Sequence, residues 1–142
     1  MDRLCINYAP LNKRTIPDRY PLLNINEMLS SFWRSKWFTV IDLTSAYWQI
    51  QLRKKDRSKM AFLTRNGQYQ FKVMPFRLNN TSATFQRFMN KVLRQYIGKF
   101  VQVYLDDVII YSNNLDEHKR HIKAVLKKIR EANLKLKPSK CQ

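Results

Sequence analysis

The sequence predicts an α+β domain with helices packed on one face of an antiparallel sheet, and three observations predict it. WFTVIDL (37–43) and VQVYLDDVIIYS (101–112) are dense in β-branched and aromatic residues, as strands are. AFLTRNGQYQFKV carries Asn66-Gly67 between two alternating runs, a strong hairpin signal. SATFQRFMNKVLRQYIG and LDEHKRHIKAVLKKIREANL place apolar residues at helical spacing. A layer of strands and a layer of helices, each apolar on one side, bury those sides against each other.

Taken in order, LCINYAPLN reads as short and β-like, and KRTIPDRYP as a basic loop, because Pro17 and Pro21 disfavour helix before them. INEMLSSFW reads as a short helix and WFTVIDL as a buried strand. The Asn66-Gly67 hairpin follows. Phe85, Phe88, Met89, Val92, Leu93 and Tyr96 then form a helical stripe, with Ser82 as N-cap and Gly98 just past the C-terminus. VQVYLDDVIIYS is a second hairpin with its acids near the turn. In the last helix Asn114 is the cap. Asp116 and Glu117 in its first turn and bases in its last suit the helix dipole. Leu115, Ile122, Val125, Leu126 and Ile129 line its apolar face, and Pro138 excludes further helix. No linker, repeat or low-complexity tract divides the chain, so residues 1–142 read as one domain.

The 142 residues suffice for a real core, and 44% hydrophobic with 13% aromatic content excludes a disordered basic tail. The formal net charge is +17, from 27 Lys plus Arg against 10 Asp plus Glu. A compact fold with that charge repels itself, which points to a polyanionic partner: nucleic acid first, a membrane surface second. No apolar run approaches the ~20 residues that span a bilayer, and MDRLCINYAP is not a signal peptide. An intracellular location, in a cytoplasmic particle or the nucleus, is therefore expected. Cys5 and Cys141 show no CxxC spacing and read as reduced thiols with no metal role. His118 and His121 lie three apart with no third ligand nearby and read as surface residues on the basic helix.

Three of the ten acids, Asp42, Asp106 and Asp107, interrupt apolar strands. A buried carboxylate is costly unless it is paired or binds metal. Pairing with Lys or Arg is one reading. The other is a Mg²⁺ site, since that ion takes one or two carboxylates together with substrate phosphates. Two such ions ~4 Å apart can activate an attacking oxygen and stabilise a leaving one. A cationic chain with an acidic metal site has the electrostatics of nucleotidyl transfer.

These residues carry a resemblance. Tyr104-Leu105-Asp106-Asp107 resembles the YxDD box of reverse transcriptases, and FTVIDLTSAYWQI their upstream aspartate motif. MPFRLNNTSATFQ resembles the motif that contacts nucleotide and template. From YAPLNK to LKPSKC the wording is similar to the polymerase of gypsy-type LTR retrotransposons. The resemblance implies fingers and a ferredoxin-like palm, RNA-directed DNA polymerase activity, and two Mg²⁺ ions for which Mn²⁺ can substitute. It implies a primed RNA or DNA template and dNTP as partners, and no membrane. Asp42 and Asp106 would be metal ligands, together with the backbone of Leu43, and Asp107 the third catalytic carboxylate. Lys140 would protonate pyrophosphate. Tyr47 would be the steric gate under the sugar, Phe76 and Arg77 would lie at the nucleotide, and Arg3 at the triphosphate. Gln86 and Tyr104 would lie at template and primer.

Against the family pattern, Arg77 stands where Gly is usual, Thr81-Ser82 where Ala-Pro is, and Trp33-Arg34 where Gly-Gly is. Asn7, Ala9 and Leu23 also depart. Several of these changes are single transitions, the pattern of a decaying element copy. The resemblance further implies a fragment of a polyprotein, with thumb, RNase H, protease and integrase lying outside it and needed for full activity. The rival readings are a catalytically impaired remnant that only binds nucleic acid by charge, and a DDE-type nuclease. Adjacent acids in a hairpin, with the later acids Asp116, Glu117 and Glu131 on or beside a helix, argue against the nuclease.

Overall fold

A computed structural model describes residues 6–21 and 24–142 of the protein. Among them, β1 (Trp37–Asp42), β4 (Val101–Tyr104) and β5 (Asp107–Ser112) form an antiparallel sheet in the order β1-β5-β4. β2 (Ala61–Thr64) and β3 (Gly67–Gln70) form a separate hairpin. The helices are α1 (Ala9–Arg14), α2 (Ile25–Ser31), the single turn α3 (Lys54–Arg57), α4 (Thr81–Val92) and α5 (Leu115–Glu131).

The core lies between the sheet and the two long helices. Strand alternation sends Ile41, Val101, Val103, Val108 and Ile110 to one face, where they meet Phe85, Met89 and Leu93 of the α4 region and Val125 and Ile129 of α5. Burying a side chain of this size contributes roughly 1.5–3 kcal/mol, so this layer is the main source of stability. Among the described residues, α2 and the turn after it cover one end of the opposite face. There Phe32 meets Phe38 and Tyr111 edge-on at 5.6 and 5.1 Å, and Gln102 Nε2 donates to Ser31 Oγ.

Several elements differ from the sequence reading. The opening segment, read as β-like, contains α1. Its first turn holds Pro10, the Ala9 N–H is capped by Asn7 Oδ1, and no β-branched residue opposes helix. β1 was expected to be buried along its length, yet Trp37 and Phe38 are 44% and 46% exposed, and Phe38 lies on the sheet face turned away from the long helices. The β2–β3 turn is Arg65-Asn66, one residue earlier than Asn66-Gly67, and Gly67 (φ 131°) opens β3.

Ser82 does not cap α4. The N-cap position is Asn80, whose side chain instead holds the distant loop after α1, accepting from Asp18 N–H and donating to the Ile16 carbonyl. The helix also stops at Val92. Gly98 (φ 77°) serves the reversal into β4, where its N–H bonds the Val101 carbonyl. α5 has its Asn114 cap, which accepts from Glu117 N–H, and ends in a Schellman pattern. Asn133 (φ 56°) bonds the Arg130 carbonyl and Leu134 the Ile129 carbonyl.

The apolar face of α5 needs correction as well. Leu115 and Leu126 are exposed, and His118 is buried in their place. Its Nε2 pairs with Thr39 Oγ1 at 2.9 Å and its Nδ1 with Ser112 Oγ at 2.9 Å. His121 is no surface residue either. It stacks on Phe100 with ring centroids 3.7 Å apart and shares the same Ser112 hydroxyl. His118, Ile122, Val125 and Ile129 follow one helical stripe, and the hydroxyls of Thr39 and Ser112 make the imidazole's burial affordable. Cys141 is a free thiol, and Cys5 lies outside the described residues. Among the described residues no helix is long and apolar enough to cross a membrane.

Candidate active site

Strand alternation explains why acids interrupt such apolar segments. Ile41 and Val108 point into the core, so their neighbours Asp42 and Asp107 take the other face. The two are register partners, Asp42 closing β1 and Asp107 opening β5. Tyr104 pairs with Asp107 from the other side. Leu105-Asp106 is the two-residue turn between β4 and β5, and Leu105 adopts φ 53°. Short hairpin turns favour positive φ because it matches strand twist, and a leucine in that conformation is strained.

Asp42 and Asp106 line one cleft of about 460 Å³, together with Leu43, Phe76, Trp48 and the two lysines Lys137 and Lys140. The lysines arrive on the C-terminal segment, which runs along the outer edge of β1. Leu136 bridges Leu43, Lys137 N–H bonds the Asp42 carbonyl, and Gln142 exchanges both backbone bonds with Val40. Between these contacts the Pro138–Lys140 turn swings outward and brings Lys140 Nζ to 3.3 Å from Asp42 Oδ2. Gln49 fastens the segment: its Nε2 donates to the Thr44 and Lys135 carbonyls and its Oε1 accepts from Lys135 N–H.

Asp106 Oδ1 is buried and has no hydrogen-bond partner among the described residues. A carboxylate oxygen in that condition is costly to bury, and a hard divalent cation is the partner its chemistry suits. The acids fit such an ion in a second respect. The Asp107 carboxyl is pushed up from its ordinary value by burial, then by the charges of Asp42 and Asp106, with Lys140 opposing. A cation there would relieve that repulsion. Among the described residues no three His, Cys, Asp or Glu side chains enclose an ion by themselves. Mg²⁺ ordinarily completes its shell with water and substrate phosphates.

Backbone strain gathers at the same place. Of the four non-glycine residues with positive φ among those described, Asn133 is the helix end above. The others are Ser45 in the cleft lining, Leu105 in the acidic turn, and Arg77, which follows the cleft residue Phe76. Strain of this kind persists where the surroundings enforce it and clusters at working sites.

Tyr47 stands beside the cleft, edge-on to Phe76 and Phe85 at 5.4 Å each, with its hydroxyl 3.4 Å from Ser82 Oγ. Burial raises its pKa, Ser82 opposes, and the Asp106 carboxylate raises it further, so the phenol stays protonated. Arg77 is exposed and does not line the cleft. Its carbonyl accepts from Asn12 Nδ2. Gln86 is 1% exposed and lies beneath the acidic turn, not on an open surface. Arg3 lies outside the described residues. The sequence reading did not single out Lys137 or Trp48 as cleft residues. Lys137 was legible in LKPSK, three residues before Lys140. Trp48 follows Tyr47, and its buried Nε1 also lacks a hydrogen-bond partner among the described residues.

Residues 2–142 match the family described as reverse transcriptase (RNA-dependent DNA polymerase). The chain is 46% identical over 140 residues to the Retrovirus-related Pol polyprotein from transposon 297 of Drosophila melanogaster, spanning 99% of this chain and 13% of that protein. It is 44% identical over 126 residues to the RNA-directed DNA polymerase homolog of Oenothera berteroana, spanning 87% of this chain and 89% of that one. In fold it matches the foamy viral protease-reverse transcriptase in complex with RNA/DNA hybrid, with a TM-score of 0.88 at 23% identity over 98% of this chain and 19% of that chain. The chain thus spans about an eighth of the Drosophila polyprotein's length.

Proposed function

The chain belongs to the reverse transcriptase (RNA-dependent DNA polymerase) family, and from that premise we propose that the Asp42–Asp106 cleft is a nucleotidyl-transfer centre. There a primer 3′-hydroxyl would attack the α-phosphate of a dNTP, directed by an RNA or DNA template. The observation that carries the reading is the buried, unpartnered Asp106 Oδ1 in the same cleft as Asp42. The foamy viral structures with DNA or an RNA/DNA hybrid support a primed nucleic acid as the partner.

Asp42, Asp106 and Asp107, with the Leu43 carbonyl, would hold two Mg²⁺ ions, for which Mn²⁺ can substitute. When bound, such ions would supply Lewis-acid activation of the attacking hydroxyl and charge neutralisation at the leaving pyrophosphate. Lys137 and Lys140 face the cleft from the opposite strand edge and neutralise phosphate charge. Lys140 gives up its contact with Asp42 to hand a proton to pyrophosphate. Tyr47, fixed between Phe76 and Phe85, supplies the sugar platform and excludes a 2′-hydroxyl. Tyr104, beside Asp107 in the sheet, faces the primer strand. Further polyprotein segments outside the chain would hold the primer terminus.

The test is primer extension on an RNA template with Mg²⁺ or Mn²⁺, using the chain alone and the chain extended with the following segment of an intact relative. Metal-dependent incorporation that Asp106→Asn abolishes is the expected result. Nucleic-acid binding without incorporation in either form would replace this reading with a remnant that only binds.

A further inference from the structure

We propose that Gln86 is the positioning residue of the acidic turn: its side-chain amide sets the backbone of Leu105, and through it the place of the Asp106 carboxylate. This rests on the reading of Asp106 as a metal ligand. β4 is an edge strand, with β5 on one side and no strand on the other among the described residues. Its outward groups therefore lack a ladder partner, a state that normally calls for water or a neighbouring chain. Gln86 supplies that partner from α4. Its Nε2 donates to the Val103 carbonyl at 2.9 Å, and its Oε1 accepts from Leu105 N–H at 3.0 Å. A side-chain amide carries the same kinds of donor and acceptor as the backbone. Bonding the carbonyl of residue i and the N–H of residue i+2 is what the N–H and C=O of one residue on a parallel neighbouring strand do.

The second Nε2 hydrogen goes to Asn90 Oδ1 at 3.1 Å, and Asn90 Nδ2 in turn donates to the Tyr20 hydroxyl at 2.8 Å. Every hydrogen on the Gln86 amide nitrogen is thus engaged, and a backbone acceptor and a backbone donor fix which way the amide faces. The bond to Leu105 holds the peptide plane at the start of a residue with φ 53°. Leucine does not hold that conformation unaided. The next residue is Asp106, whose Oδ1 is buried without a partner. Releasing Leu105 N–H lets the turn relax to negative φ and carries the carboxylate away from Asp42. Packing alone does not require an amide here, since a methionine fills a similar volume.

Mn²⁺ binding to the 142-residue chain, followed by electron paramagnetic resonance well below the melting temperature, tests the assignment. Gln86→Met is expected to weaken Mn²⁺ affinity at least ~10-fold, as loss of an outer-shell partner does. Gln86→Glu, which still accepts from Leu105 N–H, should keep Mn²⁺ affinity nearer the parent's than Gln86→Met does, and equal loss in both would overturn the proposal. Leu93→Ala, which destabilises the same helical layer, should leave Mn²⁺ affinity unchanged. Parental affinity in Gln86→Met overturns the proposal. If that variant does not fold, hydrogen exchange in the unaltered chain decides: Leu105 N–H should be protected, and rapid exchange there overturns it. Unchanged affinity in Asp106→Asn sinks the metal reading instead, whatever Gln86→Met does.

Discussion

Arg77 holds φ 68°, a conformation that costs an L-residue roughly 1–2 kcal/mol and glycine almost nothing. The family's usual glycine at this position thus has a backbone reason that does not depend on the guanidinium entering the cleft. Arg77→Gly should raise stability by about 1 kcal/mol after glycine's own entropy cost, read as a higher denaturant midpoint. No increase would show that the surrounding loop already relieves the strain. Asp106→Asn should stabilise the metal-free chain, because it removes one of the charges that raise the Asp107 carboxyl and neutralises an unpartnered buried oxygen. The same change should abolish tight Mn²⁺ binding. A destabilised metal-free Asp106→Asn chain would mean that the carboxylate is satisfied without a cation.

At the scale of elements, α5 is joined to the sheet by titratable groups. His118 and His121 are both lowered from their ordinary values. Burial is the first cause for each, and Glu117 partly offsets it for His121. A histidine kept neutral in the fold is protonated first in the unfolded chain. Its contribution is therefore complete above the unfolded value near 6.5 and is lost as pH falls through the folded values. Asp107 works oppositely: its raised carboxyl protonates first in the fold, so its repulsion is relieved as pH falls toward the ordinary carboxylate range. Melting temperature should drop from pH 7 to about pH 5.5, near the histidine window, and His118→Gln should flatten that slope. An equal slope in His118→Gln would assign the acid sensitivity elsewhere. The charge class of this helix was legible from its sequence. The burial of His118 was only half legible, because its stripe position is visible in α5 but its partners Thr39 and Ser112 come from β1 and β5.

Over the whole molecule, a formal charge of +17 accompanies a small acidic centre whose cleft Lys137 and Lys140 also line, which suits a polyanion held by many contacts around a metal site. Nucleic-acid affinity should fall by roughly 10³-fold or more between ~50 and ~200 mM salt if some six or more phosphates are contacted. It should do so nearly independently of base sequence. Salt-independent affinity would remove nucleic acid as the reason for the +17 charge. Local pattern alone determined the two long helices, both hairpins, the strand positions of Asp42 and Asp107 and the family, because periodicity and motif spacing are written along the chain. It misplaced the β2–β3 turn and both ends of α4, because Asn80 spends its side chain on a distant loop and Gly98 serves a turn into β4. Only the tertiary structure decided that Lys140 meets Asp42, that Gln86 completes the edge of β4 beneath the acidic turn, and that Arg77 strains its backbone outside the cleft. Those facts depend on strand register and on the edge that each strand leaves open. Both are set by packing between segments far apart in sequence, which no local pattern encodes.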